Sequence, residues 1–202
     1  MKYLTQILVN KRDALQHRLT DSYRWHQALW KAFPSPAGTP RSFLSRVDSC
    51  GQNYRVYLLS DRTPMMQPWG EWATREIAPN FLEYAHYRFD LRANPTIKRI
   101  IRHESGERKK NGRRTAIYDP DKLNEWLQNK AQQHGFAILN VEVGAPVTQH
   151  FRRKNRQGKH ICVDFRGTLQ VQNRTHFKNA FQTGIGPAKA FGFGMLVLQP
   201  LG

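Results

Sequence analysis

The chain has few of the residues that build covalent or metal-based sites. Only two cysteines occur in 202 residues, Cys50 and Cys162, which argues against a disulfide framework and against a cysteine-based zinc site. No apolar run approaches the roughly 18 residues that a membrane-spanning helix requires, and Met1–Thr5 lacks the core of a signal peptide. These absences predict a soluble, cytoplasmic protein with no membrane partner.

Acidic residues are also scarce, because 15 Asp and Glu face 32 Lys and Arg, giving a net charge of +17. Such a surplus repels itself unless a polyanion neutralises it. Nucleic acid is therefore the leading partner, and an anionic membrane surface is the alternative. The acids are scattered without the clustered carboxylates of a two-metal nuclease, and the histidines lack ligand-like spacing. We therefore expect neither a metal nor a small-molecule cofactor.

Hydrophobic alternation and turn residues divide the chain into two similar halves. The predicted elements of the first half are a strand at 3–10, a helix at 22–33, strands at 43–49 and 54–60, and a short helix at 69–77. Those of the second half are a strand at 84–92, a helix at 120–133, strands at 136–143 and 160–171, a helix at 173–183 and a strand at 195–199. Each half approximates a βαββαβ unit. The sequence thus predicts an α+β fold of two tandem ferredoxin-like (RRM-like) domains, at 1–82 and 83–202.

Positive charge is concentrated in two segments of the second half. The first, from Arg92 to Tyr118, holds nine basic and two acidic residues, and its Asn111-Gly112 pair is a strong hairpin signal. A basic ribbon of this kind is narrow enough to follow a nucleic-acid groove, although the alternative is a solvated loop. The candidate binding residues are Arg102, Arg108, Lys109, Lys110, Arg113 and Arg114 in the first segment, and Arg152, Arg153, Lys154, Arg156 and Lys159 in the second.

A glycine-rich stretch precedes the last predicted strand. Four glycines and Lys189 fall within eleven residues, and exposed backbone N–H groups beside a lysine make a cradle for a phosphate. The stretch is not a Walker A loop, because Ala190 follows the lysine, and it does not open a helix as a dinucleotide fingerprint does. The alternative is a turn that lets the last strand pack tightly. The glycines are Gly184, Gly186, Gly192 and Gly194.

The first predicted helix has two distinct faces when drawn at 3.6 residues per turn. The core face carries Trp25, Ala28, Leu29, Ala32 and Phe33, and the opposite face carries Tyr23, His26, Gln27 and Trp30. A histidine one turn from a tyrosine suits attack of an RNA 2′-hydroxyl on the neighbouring phosphate, with His26 as general acid or base. Lys31 would add positive charge but projects away from His26. The alternative is an exposed His–Tyr pair without a role.

Three motifs in order resemble the CasE family, the CRISPR precursor-RNA-processing endoribonucleases of type I-E Cascade complexes. They are Tyr23-x-x-His26-Gln27-x-Leu29-Trp30, Arg88-Phe89-Asp90-Leu91-Arg92-Ala93-Asn94-Pro95 and the glycine stretch 184–194, so the resemblance covers nearly the whole length. It implies tandem ferredoxin-like domains. It also implies metal-independent cleavage at the 3′ base of the repeat stem-loop, leaving a 2′,3′-cyclic phosphate and a 5′-hydroxyl.

The resemblance also implies roles for residues and partners. His26 and Tyr23 would serve catalysis, with Lys31 at a third position that varies within the family. The basic hairpin from Arg102 to Arg114 would enter the major groove of the lower stem. The placement of the glycine stretch after the second unit, with the Tyr23–His26 face in the first, further predicts that it clamps the RNA backbone through Lys189. The implied partners are the CRISPR repeat RNA stem-loop and the other Cascade subunits. The alternatives are a non-catalytic subunit that binds an RNA hairpin and a basic ribosome-associated protein.

Overall fold

A computed structural model describes residues 1–99, 113–153 and 156–201. The elements of the first half are β1 (Tyr3–Asn10), α1 (Lys11–Gln16), α2 (Ser22–Lys31), β2 (Phe43–Cys50), β3 (Asn53–Ser60) and β4 (Glu71–Glu76). Those of the second half are β5 (His86–Ala93), β6 (Thr96–Arg99), β7 (Arg113–Ala116), α3 (Pro120–Gln133), β8 (Phe136–Val143), β9 (Val147–Arg153), β10 (Arg156–Val171), α4 (Arg174–Thr183), a 3₁₀-helix (Lys189–Phe191) and β11 (Leu196–Leu201).

The first half forms a four-stranded antiparallel sheet in the order β2-β3-β1-β4. This is the strand order of a ferredoxin-like unit, in which the first strand lies between the third and the fourth. The second helix of the unit is missing, because residues 61–70 join β3 to β4 without helical structure. In this unit, a loop therefore connects β3 to β4 where a helix was expected.

The predicted helix at 69–77 is wrong, since residues 71–76 form strand β4 against β1. Backbone pairing along the free edge of β1 outweighs the local helical preference of this short segment. Side chains reinforce the pairing, since the hydroxyls of Thr5 and Thr74 lie 2.9 Å apart. The indole N–H of Trp72 also donates to the carbonyl of Trp69 at 2.7 Å and ties the start of β4 to the preceding segment.

The second half repeats the same strand order as β11-β5-β10-β8. Strand β10 is 16 residues long and extends beyond this sheet to form an antiparallel hairpin with β9. Neither β9 nor α1 was predicted. Strands β6 and β7 pair as a two-stranded ribbon, which agrees with the predicted hairpin, while its turn at Asn111-Gly112 lies outside the described residues.

Helix α2 forms where its sequence predicts it. The carboxylate of Asp21 accepts hydrogen bonds from the N–H groups of the first turn and caps the helix, and Pro34 follows its end. The predicted core face is confirmed, since Trp25, Leu29 and Phe33 are buried in the core of the first half. The opposite face of α2 is consequently directed away from its own sheet.

Apolar and charged contacts join the two halves. Leu44 and Leu59 of the first half pack with Phe181 and Met195 of the second. Arg46, which is 3% exposed, donates to a carboxylate oxygen of Asp90 at 2.6 Å across the junction. The two sheets are the α+β, tandem ferredoxin-like architecture that the sequence predicted, whereas a domain boundary at residue 82 stays a prediction.

Candidate active site

The N-terminus of α2 is tied to the second half of the chain. One carboxylate oxygen of Asp21 accepts from the backbone N–H groups of Tyr23 and Arg24 at 2.8 and 2.9 Å. The other accepts from the backbone N–H of Arg152 in β9, at 3.2 Å. The helix that carries His26 is therefore fixed against the hairpin that carries the second group of basic residues.

Tyr23 and His26 lie side by side in the first turns of α2. Their ring centroids are 6.5 Å apart, and both rings contact Phe191, at 6.5 and 5.8 Å. The ring of Trp30 lies 5.7 Å from that of His26. The structure thus brings the two predicted catalytic residues together and adds Phe191, an aromatic ring from the glycine-rich stretch that had no predicted role.

A cavity of about 240 Å³ adjoins His26. His26 of α2, Ser45 of β2, Arg92 of β5, His150 of β9 and Phe191 all line it, so both halves of the chain contribute to its wall. An imidazole at the edge of a partly polar cavity of this size is able to transfer a proton to or from a small group held inside. The cavity is therefore the candidate active site.

Arg92 is held by protein groups although it lines the cavity. It donates to both carboxylate oxygens of Asp164 at 2.8 and 2.9 Å and to the carbonyl of Val47 at 2.8 Å, and it lies 2.8 Å from Asp48. Burial raises the pKa of Asp164, but the hydrogen bond and charge of Arg92 outweigh burial and bring that pKa below its usual value. Arg92 therefore joins the cavity wall to both sheets as a permanently charged group.

An aromatic cluster supports the far side of Phe191. Phe151 and His160 stack at 4.7 Å with 14° between their planes, and Phe191 packs against them at 4.9 and 4.7 Å. Gly158 lies directly beneath Phe151, because a Cβ there would overlap that ring. Burial lowers the pKa of His160, which favours a neutral imidazole within this cluster.

The glycine-rich stretch is a closed loop whose base is packed tightly. Ile185 N–H donates to Gly194 O at 2.8 Å, and Gly194 N–H donates to Arg92 O at 2.7 Å. Gly194 has a φ of +82°, and a Cβ there would overlap the carbonyl oxygen of Ile185. Gly184 is buried beside it at the end of α4. Tight packing therefore accounts for these two glycines, and a role in RNA binding stays a prediction for them.

The other glycines and the lysine of this loop are more accessible. Gly186 faces Trp126 of α3, and Gly192 lines the cavity next to Phe191. Lys189 is half-buried, and its pKa is lowered by burial and then by the charges of Arg41 and Lys130. The loop consequently presents Phe191 to the catalytic pair and Lys189 to a separate group of cations.

Lys31 lies apart from the catalytic pair. It is exposed in the last turn of α2, and five residues at 100° each put it about 140° around the helix from His26. The structure therefore brings together two of the three predicted catalytic residues.

The predicted nucleic-acid-binding residues occupy two ribbons. Arg113 and Arg114 belong to β7, Arg152 and Arg153 to β9, and Arg156 and Lys159 to β10. Arg102, Arg108, Lys109, Lys110 and Lys154 lie outside the described residues. Arg114, Arg152, Arg156 and Lys159 are exposed. Because the Arg152 N–H donates to Asp21, the N-cap of α2, the β9–β10 ribbon contacts the helix that carries the candidate active site.

Sequence reasoning missed the residues that complete the site from the second half. The sequence did hold an indication of the role of Phe191, because an aromatic ring between Ala190 and Gly192 has no function in a simple phosphate cradle. Arg92 lay within a recognised motif but without an assigned role. Among the residues described, no group of three His, Cys, Asp or Glu is arranged to hold a metal ion. Across the same ranges, no helix is both long and apolar enough to cross a membrane.

Two ferredoxin-like (RRM-like) units in tandem, with exposed cations on two ribbons, are typical of RNA-binding folds. The chain belongs to the family described as CRISPR associated protein, which matches residues 2–200. It is 31% identical over 209 residues to the CRISPR system Cascade subunit CasE of Escherichia coli K12, covering 98% of this chain and 100% of that protein. The resemblance to the CasE family is thereby confirmed.

Two further comparisons agree with this assignment. The CRISPR-associated endoribonuclease Cse3 of Thermus thermophilus is 32% identical over 220 residues, covering 98% of this chain and 100% of that protein. A solved structure of CRISPR endoribonuclease Cse3 bound to a 19-nucleotide RNA has a TM-score of 0.78 at 25% identity and covers 98% of each chain. The similarity therefore extends over the whole tandem fold.

Proposed function

We propose that this chain is an endoribonuclease that processes CRISPR precursor RNA and remains with its product as a Cascade subunit. The observation that carries the proposal is the Tyr23–His26 pair, of which His26 lines a cavity to which both halves contribute. The relatives support it, since one is named a Cascade subunit and the other an endoribonuclease. A net charge of +17 matches a polyanionic substrate, and the cytoplasm is the compartment we propose.

The mechanism is an internal transesterification. The 2′-hydroxyl before the cleaved bond attacks the adjacent phosphorus, and the 5′-oxygen of the next nucleotide leaves, so the products carry a 2′,3′-cyclic phosphate and a 5′-hydroxyl. One proton leaves the attacking hydroxyl and one reaches the departing oxygen. His26 transfers one of these protons, and the Tyr23 hydroxyl stabilises a charged phosphate oxygen. No step requires a metal ion.

The substrate is the repeat stem-loop, cut at the 3′ base of its stem. The β6–β7 ribbon and the β9–β10 ribbon carry exposed cations suited to a helical phosphate backbone. The hydrogen bond from Arg152 N–H to Asp21 connects the second ribbon to the catalytic helix, so RNA held on the ribbon approaches His26.

The test compares single-turnover cleavage of the cognate repeat RNA by wild-type protein and a His26→Ala variant, both in EDTA. We expect the variant to lose about 10²- to 10⁴-fold in rate, the usual contribution of a general acid or base. His176→Ala is the matched control, because His176 is exposed on α4, and it should cleave at the wild-type rate. Equal rates for wild type and His26→Ala would refute the assignment.

The second candidate is a non-catalytic subunit that binds an RNA hairpin. The separation of Lys31 from His26 favours it, because Lys31 then supplies no positive charge to a phosphate group held beside the Tyr–His pair. This candidate predicts tight binding of the repeat RNA with no cleavage over hours at saturating protein. A basic ribosome-associated protein would instead prefer ribosomal RNA in a competition assay.

A further inference from the structure

A second group of cations lies near the 3₁₀-helix, where the charges of Arg41 and Lys130 lower the pKa of Lys189. Arg41 precedes β2, Lys130 lies in the last turn of α3, and Lys189 begins the 3₁₀-helix. Packing of the glycine-rich loop brings these elements together. A Cβ on Gly186 would be 3.1 Å from the Trp126 ring of α3, and Lys130 is four residues beyond Trp126, on the same face of the helix.

Arg41 has a buried donor to which the described part of the chain offers no acceptor. Its guanidinium lies 5.6 Å above the ring of Phe43, and burial lowers its pKa. The Nη1 atom is buried and has no hydrogen-bond partner within residues 1–99, 113–153 and 156–201. A charged donor buried without an acceptor is destabilising, so the geometry favours an acceptor supplied from outside the chain.

Within the described ranges, the charged groups that act on Lys189 are the cations Arg41 and Lys130. Burial and the charges of Lys130, Lys189 and His176 lower the pKa of His134, one position past the end of α3. None of the ion pairs found between described residues includes Arg41, Lys130 or Lys189. Three like charges of this kind repel one another until an anion binds between them.

We infer that Arg41, Lys130 and Lys189 form a binding site for a backbone phosphate of the RNA, separate from the cleavage site. The inference rests on the proposed function and deepens it. Phe191 contacts His26 and Lys189 lies two residues earlier in the same turn, so a strand leaving the catalytic pair follows the 3₁₀-helix toward this cluster. Arginine suits the role because its fork of N–H donors matches a phosphate.

The experiment measures binding of a repeat RNA that carries a 2′-deoxy nucleotide at the cleavage position, over a range of salt concentrations. We expect Arg41→Gln and Lys189→Gln each to weaken binding about tenfold, as for one lost charge-assisted hydrogen bond. Each should also reduce the slope of log K against log salt by about 0.7 to 0.9. Arg88→Gln removes an equal charge from the exposed face of β5 and should keep the wild-type slope.

An unchanged slope in Arg41→Gln, or an equal loss in Arg88→Gln, would overturn the inference. Inorganic phosphate provides a second measurement that needs no RNA: it should raise the Tm of wild-type protein more than that of Lys130→Gln, and equal shifts would count against the site. Cleavage by wild-type protein tests the proposed function separately. If the variants reduce the salt slope but wild-type protein does not cleave the RNA, only the proposed endoribonuclease activity is refuted. If wild-type protein cleaves the RNA but the variants leave the salt slope unchanged, only the phosphate site is refuted.

Discussion

Replacing Phe191 with leucine is expected to slow RNA cleavage more than it weakens RNA binding. The Phe191 ring is the only side chain described that contacts both Tyr23 and His26 and also the Phe151–His160 stack. Leucine retains apolar bulk but does not reach all of these rings. The imidazole of His26 then loses its packing contact with the Phe191 ring and is free to shift. Displacement of a catalytic group by about 1 Å lowers the rate on the order of 10²-fold.

The loss of stability from this substitution should be modest. A well-formed aromatic pair contributes roughly 0.5–1.5 kcal/mol beyond its buried area, but Phe191 is half-buried and leucine restores part of the packing. We therefore expect a loss of about 1–2 kcal/mol in the free energy of unfolding. This leaves the protein folded at 25 °C, where the rate is measured.

The assay is single-turnover cleavage at saturating protein, with the Kd for uncleavable RNA measured in parallel. The matched control is Phe193→Leu, because Phe193 is 1% exposed and contacts His160 at 5.4 Å. It should lose more stability but less cleavage rate than Phe191→Leu. A wild-type rate in Phe191→Leu, or the same rate loss in both variants, would refute the positioning of His26 by Phe191.

Three further predictions concern stability. Gly194→Ala should lower the free energy of unfolding, measured with urea, by at least about 2–3 kcal/mol through backbone strain and a clash with the carbonyl oxygen of Ile185. The control is Gly38→Ala, because Gly38 has a similar φ of +84° but no atom within 4 Å of the added Cβ. A similar loss of stability in both variants would disprove the clash. His160→Phe should reduce the loss of folding stability at acid pH. Because the pKa of His160 is lowered in the folded protein, His160 contributes stability above its unfolded-state pKa of about 6.5, and this contribution is lost as the pH falls. An unchanged dependence of Tm on pH between pH 7 and 5 would contradict this. Asp21→Ala should lose about 1 kcal/mol as an N-cap while Asp21→Asn retains most of it, and equal losses in thermal melts would exclude capping.

The local elements of this fold could be predicted where one pattern governs them. Helix α2 has a capping residue, an apolar face and a proline stop, and its periodicity alone puts Tyr23 beside His26. Strand β4 was predicted as a helix because its partner, the edge of β1, is more than 60 residues away in the chain and leaves no local signal. Strand β9 is largely polar, and only its pairing with the extended β10 defines it.

The rest of the candidate site depends on how the two halves meet. Arg92 and Phe191 reach the cavity only because β5 and the glycine-rich loop pack against β2 and α2. No spacing within the sequence specifies that approach. The glycine stretch illustrates the difference: its composition indicated a phosphate cradle, while its geometry presents an aromatic ring to His26 and a lysine to Arg41.

The chemical groups at the ends of the RNA products test most directly whether cleavage is a metal-independent internal transesterification. Wild-type protein is incubated with the repeat RNA in EDTA, and the products are analysed for their terminal groups, with a 2′-deoxy substitution before the cleaved bond as the paired substrate. We expect a 2′,3′-cyclic phosphate, a 5′-hydroxyl and no cleavage of the 2′-deoxy RNA. A 3′-hydroxyl product, cleavage of the 2′-deoxy RNA, or cleavage that requires a divalent ion would contradict this mechanism.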